Sequence, residues 1–171
     1  MNLAIIKYNA GNIQSVLNAL ERLGLQATVT YNPEKIRAAD KVIKELKQPV
    51  LGICVGMQLL CSHSEENDTT CLGIVPVEVK KFQNTNLKVP QVGWNTIYNL
   101  QSALFKNIAN NSYIYNVHSY YAEDSKYTIA QCNYGLEYAA AIQKDNFYGV
   151  QFHTEKSAET GDKIIENFLE L

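Results

Sequence analysis

Two stretches of this chain pass from a short, wholly apolar segment through a turn into residues at helical spacing, and that order constrains the fold more tightly than any other feature. In the first, Leu3, Ala4, Ile5 and Ile6 form an unbroken apolar run and Asn9, Ala10, Gly11 and Asn12 make a turn. Ile13, Val16, Leu17, Leu20 and Leu23 then recur at the spacing of one helix face. Gly24 stands where a glycine commonly closes a helix, and residues 26–31 read as the next strand. In the second stretch, Pro49, Val50, Leu51, Gly52 and Ile53 run into Cys54 and then into Met57, Gln58, Leu59 and Leu60, which read as the first turns of a helix. A strand without polar alternation must be covered on both faces, and strands alternating with helices supply that cover in a parallel sheet.

The second half has a different rhythm. Residues 75–79, 112–117, 128–132, 138–142 and 148–152 are short alternating or aromatic-rich segments, with Lys144, Asp145 and Asn146 as a hairpin turn before the last. Residues 160–171 predict an amphipathic helix that buries Ile164, Ile165, Phe168 and Leu169. The expectation is a single α/β domain over residues 1–171. Its central sheet is mixed and mostly parallel, with helices on both faces and a more antiparallel C-terminal part. A chain of 171 residues suffices for one such core and not for two.

A net charge of -2 without a long Lys/Arg run argues against nucleic acid and anionic membrane as partners. No apolar run reaches membrane-spanning length, and a cytoplasmic protein is expected. Cys54, Cys61, Cys71 and Cys132 include no C-x-x-C pair, so in a reducing compartment they read as free thiols.

Gly52-Ile53-Cys54-Val55-Gly56 has the pattern G-x-C-x-G where a buried strand meets a helix, the cysteine form of a nucleophile elbow. Such a turn lifts the sulfur above the sheet, and the start of the helix favours a thiolate. The pattern alone is equally compatible with a small buried hydrophobe. A second segment, Val150-Gln151-Phe152-His153-Thr154-Glu155-Lys156-Ser157, follows a predicted strand. In extended geometry residues two apart share a side, so Glu155 can contact one ring nitrogen of His153 while the other faces a thiol. Cys54, His153 and Glu155 thus compose a nucleophile, base and orienter, although spacing alone does not establish the set. Cys61, Ser62, His63 and Cys71 fit no familiar zinc spacing, so no metal and no cofactor are expected.

Taken together these segments resemble the class I, triad-type glutamine amidotransferases, whose G-x-C-x-G-x-Q motif is met by Gly52, Cys54, Gly56 and Gln58. Tyr8 with Gly11-Asn12, Pro90 with Gly93-Trp94-Asn95, Val117-His118-Ser119-Tyr120 and the segment around His153 make the chain most similar to the amidotransferase subunits of imidazole glycerol phosphate synthase, nearly end to end. The resemblance implies a flavodoxin-like amidotransferase domain that hydrolyses L-glutamine to glutamate and ammonia through a thioester. It also implies a heterodimer in which the ammonia passes to a cyclase (β/α)8 barrel in histidine biosynthesis. By the same resemblance Gln58, Ser119, Tyr120 and Val55 bind substrate, with the backbone amide of Val55 in the oxyanion hole. Asn12, Trp94, Asn95, Tyr115 and Lys156 match the partner interface. Trp94 is, on sequence alone, equally a core aromatic.

Several features depart from the family. Lys7, Asn9, Gln91, Val92 and Thr154 replace its usual residues, and the interval from 30 to 50 lacks the P-G-x-G segment that carries the other oxyanion donor. That interval is roughly 20 residues short of a full βαβ unit. Either the protein lacks the segment, or residues are missing from the sequence at a join within 39–44; the second is expected, and a Cα step well above about 3.8 Å there would reveal it. Two other readings stay open. One is a paralogue that feeds ammonia to a different barrel, such as one aminating a sugar for surface polysaccharide. The other is a catalytically silent protein that only binds and regulates its partner.

Overall fold

A computed structural model describes residues 3–6, 13–30, 44–83 and 86–171, which fall into two compact units, Met1–Lys47 and Gln48–Leu171. The interval with the expected join lies largely outside the described residues.

In the first unit, strand β1 (Leu3–Ile6) pairs in parallel with β2 (Ala27–Thr30), and helix α1 (Ile13–Arg22) connects them in sequence. Gly24 sits at φ +72°, its amide bonds to the Glu21 carbonyl at 2.9 Å, and the Leu25 amide reaches back to Leu20 at 2.9 Å. This paired closure satisfies carbonyls that a helix end otherwise leaves open, and the left-handed backbone it requires is the reason for glycine.

The second unit opens with β3 (Val50–Ile53) and α2 (Val55–Leu60). The strands β4 (His63–Ser64), β5 (Thr69–Thr70), β6 (Glu78–Lys81), β7 (Gln91–Ile97), β8 (Ser112–His118), β9 (Tyr120–Ala122), β10 (Thr128–Asn133), β11 (Glu137–Lys144) and β12 (Phe147–Val150) follow. The chain then enters α3 (Ala158–Leu169). The larger sheet has the order β3-β12-β11-β9-β6-β4-β5, with β10 on β11. Within it β3 and β12 run parallel, as do β4 and β6, and the other neighbours are antiparallel. β7 and β8 form a separate antiparallel ribbon, tied to β10 through the Tyr98–Gln131 bridge. The C-terminal part is therefore antiparallel, as its aromatic alternation predicts.

The core gathers Phe82, Ile97, Leu104, Ile114, Tyr138, Phe152 and Ile164. Each large side chain buried there contributes roughly 1.5–3 kcal/mol. α3 turns Ile164 and Ile165 inward, leaves Phe168 partly buried against the Tyr148 ring, and uses the buried Asn167 amide to hold the carbonyls of Leu104 and Lys106 at 3.0 and 2.8 Å. Among the described residues no helix is long and apolar enough to cross a membrane.

One expectation needs correction, and one strand lies where none was expected. Residues 75–79 are not a strand throughout: Pro76 has no amide to donate, Val77 turns back onto the Val75 carbonyl at 2.8 Å, and regular pairing begins only at Glu78. The G-W-N segment, to which no element is assigned from sequence, is the long strand β7, with Gly93 at φ +133° inside it.

Gly161 sets how closely α3 can approach the preceding turn. A β-carbon there would lie 1.9 Å from the Thr154 carbonyl oxygen, a backbone atom that cannot swing aside. Gly161→Ala is expected to cost about 3 kcal/mol, at the upper end for overpacking, and so to lower the melting temperature by roughly 6–12 °C in a thermal melt.

Candidate active site

β3 and β12 end side by side, with Val150 in register with Ile53, and the Cys54 amide extends that pairing by donating to the Val150 carbonyl at 2.8 Å. Cys54 itself adopts φ 54°, ψ -114°, an arrangement that β-carbons disfavour, and its carbonyl already accepts from Met57 at 3.0 Å as the first turn of α2. The flanking glycine is explained by contact: a β-carbon on Gly52 would lie 2.5 Å from the Gly56 carbonyl oxygen. On the neighbouring strand its register partner Gly149 would likewise place a β-carbon 2.7 Å from Met57 Cγ. Both strands are bare beneath α2, and the elbow is consequently tight.

His153 is carried out of β12 by the buried Gln151 and Phe152, and is held from both sides. Its amide donates to the Tyr115 carbonyl on β8 at 2.9 Å, and its carbonyl accepts from Ser157 Oγ at 2.6 Å. Ser157 Oγ in turn accepts from the Tyr115 amide at 3.0 Å. One hydroxyl therefore locks the His153 backbone to β8. Glu155 lies not in extended chain but in the short turn Thr154–Lys156, which corrects the geometry inferred from spacing. The contact is nevertheless made: His153 Nδ1 lies 2.7 Å from Glu155 Oε1, with the Glu155 side chain almost wholly buried.

The His153 imidazole is pushed up to about 9, first by its hydrogen bond with Cys54 and next by that with Glu155, against the opposing effect of burial. A raised value means the imidazolium persists through neutral pH and is lost as pH rises through about 9. Any stability this charge confers is complete below the ordinary histidine value of about 6.5 and fades between the two. In Cys54→Ser the leading cause is removed, so the His153 midpoint is expected to fall when the ring protons are titrated by NMR. His153→Gln assigns the signal among the three histidines.

Gln58 projects from α2, buried, with its Nε2 on the Tyr120 carbonyl at 3.2 Å and on Gln151 Oε1 at 3.0 Å. Val55 begins α2, where helix geometry leaves backbone amides without an intrahelical acceptor. Ser119 and Tyr120 are half-buried at the junction of β8 and β9. His118 is neutral: burial lowers it to about 4, its Nδ1 bonds the Tyr120 carbonyl at 2.7 Å, and Tyr138 lies 3.4 Å from Nε2.

Of the residues assigned by resemblance to an interface, Trp94, Asn95 and Tyr115 fall on the β7–β8 ribbon. Trp94 is 54% exposed, which removes the core reading, and stands edge-on to its register partner Tyr115 with centroids 5.6 Å apart. Lys156 approaches the Tyr115 ring from the other segment, at 6.0 Å. Asn95 is half-buried and holds the Asn133 carbonyl at 2.8 Å, whereas Asn12 lies outside the described residues. His63 is engaged by Asp68 at 2.8 Å and Glu78 at 3.5 Å, and no group of metal-ligating side chains assembles among the described residues. Sequence patterns do not mark Gln151, whose only signal is a lone amide inside the apolar run Val150-Gln151-Phe152.

The model of the glutamine amidotransferase class-I family matches residues 27–171. Imidazole glycerol phosphate synthase subunit HisH of Bacteroides fragilis is 50% identical, and that of Escherichia coli K12 41%, with all of this chain and all of each relative covered. Each alignment runs over 196 positions against 171 residues here, an excess of 25, so the relatives carry residues without a counterpart in this chain. A solved glutamine amidotransferase superposes with a TM-score of 0.70 at 14% identity over 99% of this chain and 98% of its own. A GMP synthase-type protein from Thermoplasma acidophilum superposes at 0.74 and 17% identity, over 99% of this chain and 93% of its own. The fold is thus the amidotransferase fold, and with the elbow, the histidine and the carboxylate assembled as above, the chain belongs to the class-I glutamine amidotransferases, among the HisH subunits of imidazole glycerol phosphate synthase.

Proposed function

We propose that this protein hydrolyses L-glutamine and delivers the ammonia to the cyclase barrel of an imidazole glycerol phosphate synthase. The observation that carries the reading is the convergence of a strained elbow cysteine, a histidine whose pKa that cysteine raises, and a buried carboxylate 2.7 Å from the histidine. Cys54 attacks the side-chain carbonyl of glutamine, and the imidazolium of His153 gives its proton to the departing ammonia. Water then adds to the γ-glutamyl thioester with His153 taking its proton, which releases glutamate and restores the thiol. Glu155 fixes the ring tautomer and offsets the imidazolium charge. Gln58, Ser119 and Tyr120 surround the substrate, and the Val55 amide donates to the developing oxyanion. The second donor belongs to the P-G-x-G segment that residues 30–50 lack, and the 25-position excess of the relatives is of a size to contain it.

The exposed side of the ribbon, with Val92, Trp94, Tyr113 and Tyr115, suits a protein partner: it is aromatic, rigid and continuous on one face of paired strands. We place the protein in the reducing cytoplasm, where Cys54 stays a free thiol. The test is intact mass before and after treatment with an electrophilic glutamine analogue. A single adduct that is lost in Cys54→Ser supports the reading, and no Cys54-dependent adduct overturns it. The untreated mass decides the gap as well, since a value above 19.2 kDa means that residues are missing from the sequence.

A further inference from the structure

We infer that Gln151 is a positioning residue that presents an N–H to the Cys54 sulfur and, through the same amide, fixes Gln58 with its carbonyl oxygen toward the substrate. Gln151 is fully buried and directly follows β12, continuing the sheet through its amide to the Ala140 carbonyl at 2.8 Å. It is the next residue after Val150, as Cys54 is the next after Ile53, so the parallel register sets the two side by side. Its Nε2 lies 3.8 Å from Cys54 Sγ and its Oε1 accepts from Gln58 at 3.0 Å.

The direction of this chain of amides is dictated from one end. A backbone carbonyl can only accept, so the Tyr120 carbonyl requires an N–H from Gln58. With that orientation Gln58 turns Nε2 toward Gln151 as well, which requires Gln151 to answer with Oε1. Its own NH2 group then faces the sulfur. Flipping either amide would set two acceptors or two donors against each other. The consequence at the sulfur is a donor that survives ionisation. Of the sulfur's other contacts, the Val117 carbonyl at 3.9 Å is an acceptor and gives nothing to a thiolate, whereas His153 is a second donor alongside Gln151. A hydrogen bond to the charged form favours that form. At Gln58 both hydrogens are committed, which leaves Oε1 as the group available to accept from an ammonium or amide of a bound amino acid.

The inference rests on the glutaminase reading for its effect on substrate, but its effect on the sulfur does not, and the experiment separates the two. Cys54 alkylation by iodoacetamide is followed from pH 5 to 10 in wild type, Gln151→Met and Gln151→Glu, with folding checked by circular dichroism and glutamine hydrolysis measured alongside. Gln151→Met is expected to shift the alkylation midpoint upward and slow alkylation near neutral pH about tenfold, one pH unit of midpoint being tenfold in thiolate. Gln151→Glu, with an acceptor facing the sulfur, is expected to shift it further. KM for glutamine rises in both. A folded Gln151→Met with the wild-type profile overturns the inference; should that variant not fold, an unchanged profile in Gln151→Glu does so. If the profile shifts while wild type hydrolyses no glutamine, the role of Gln151 stands and the glutaminase reading falls.

Discussion

Cys54→Ser is expected to reduce glutamine hydrolysis by about 10⁴- to 10⁶-fold, the range seen when a nucleophile is removed from a triad that works as a unit. The fold should survive, because the elbow depends on backbone and on the two glycines beneath α2, and a hydroxyl is smaller than the thiol it replaces. Ammonia release from glutamine in a coupled assay measures the loss. Retention of more than a hundredth of the activity would mean that another group performs the attack, and the assignment of Cys54 would have to be withdrawn.

Glu155→Gln is the second large effect, with an expected loss of about 10⁴-fold, comparable to that from neutralising the carboxylate of a serine triad. The reason is specific to this geometry. Glu155 Oε1 accepts from His153 Nδ1 at 2.7 Å, which holds the ring with Nε2 toward the sulfur. An amide can present NH2 to the ring and invert the tautomer. The variant should also lower the His153 titration, since the Glu155 bond is the second cause of its raised value. If kcat falls but the His153 midpoint stays, the loss comes from disturbed packing and not from the orienting bond.

The parts of this site legible in sequence are those whose chemistry needs a rigid local pattern. G-x-C-x-G announces its geometry because Gly52 cannot carry a β-carbon, and the His153–Glu155 pair announces itself by spacing, although a short turn and not extended chain brings the two together. Gln151 is silent in sequence because its partners, Gln58 and Cys54, are remote along the chain and meet it only through the β3–β12 register. β7 departs from the usual strand signal because its apolar Val92 and Trp94 face outward while Gln91 is buried, and the strand owes its regularity to seven successive partners on β8. β1 and β3 are legible because they are built on apolar runs.

The two facing glycines carry one more implication. Because Gly52 and Gly149 are both bare, α2 rests on the sheet through its main chain at Gly52, against the Gly56 carbonyl, and through the Met57 side chain at Gly149. At Gly52 no side-chain rotamer intervenes between strand and helix, so the spacing beneath Cys54 is gauged there by covalent geometry. The thickness of two absent methyl groups is therefore a dimension that cannot be adjusted without moving the Cys54 sulfur.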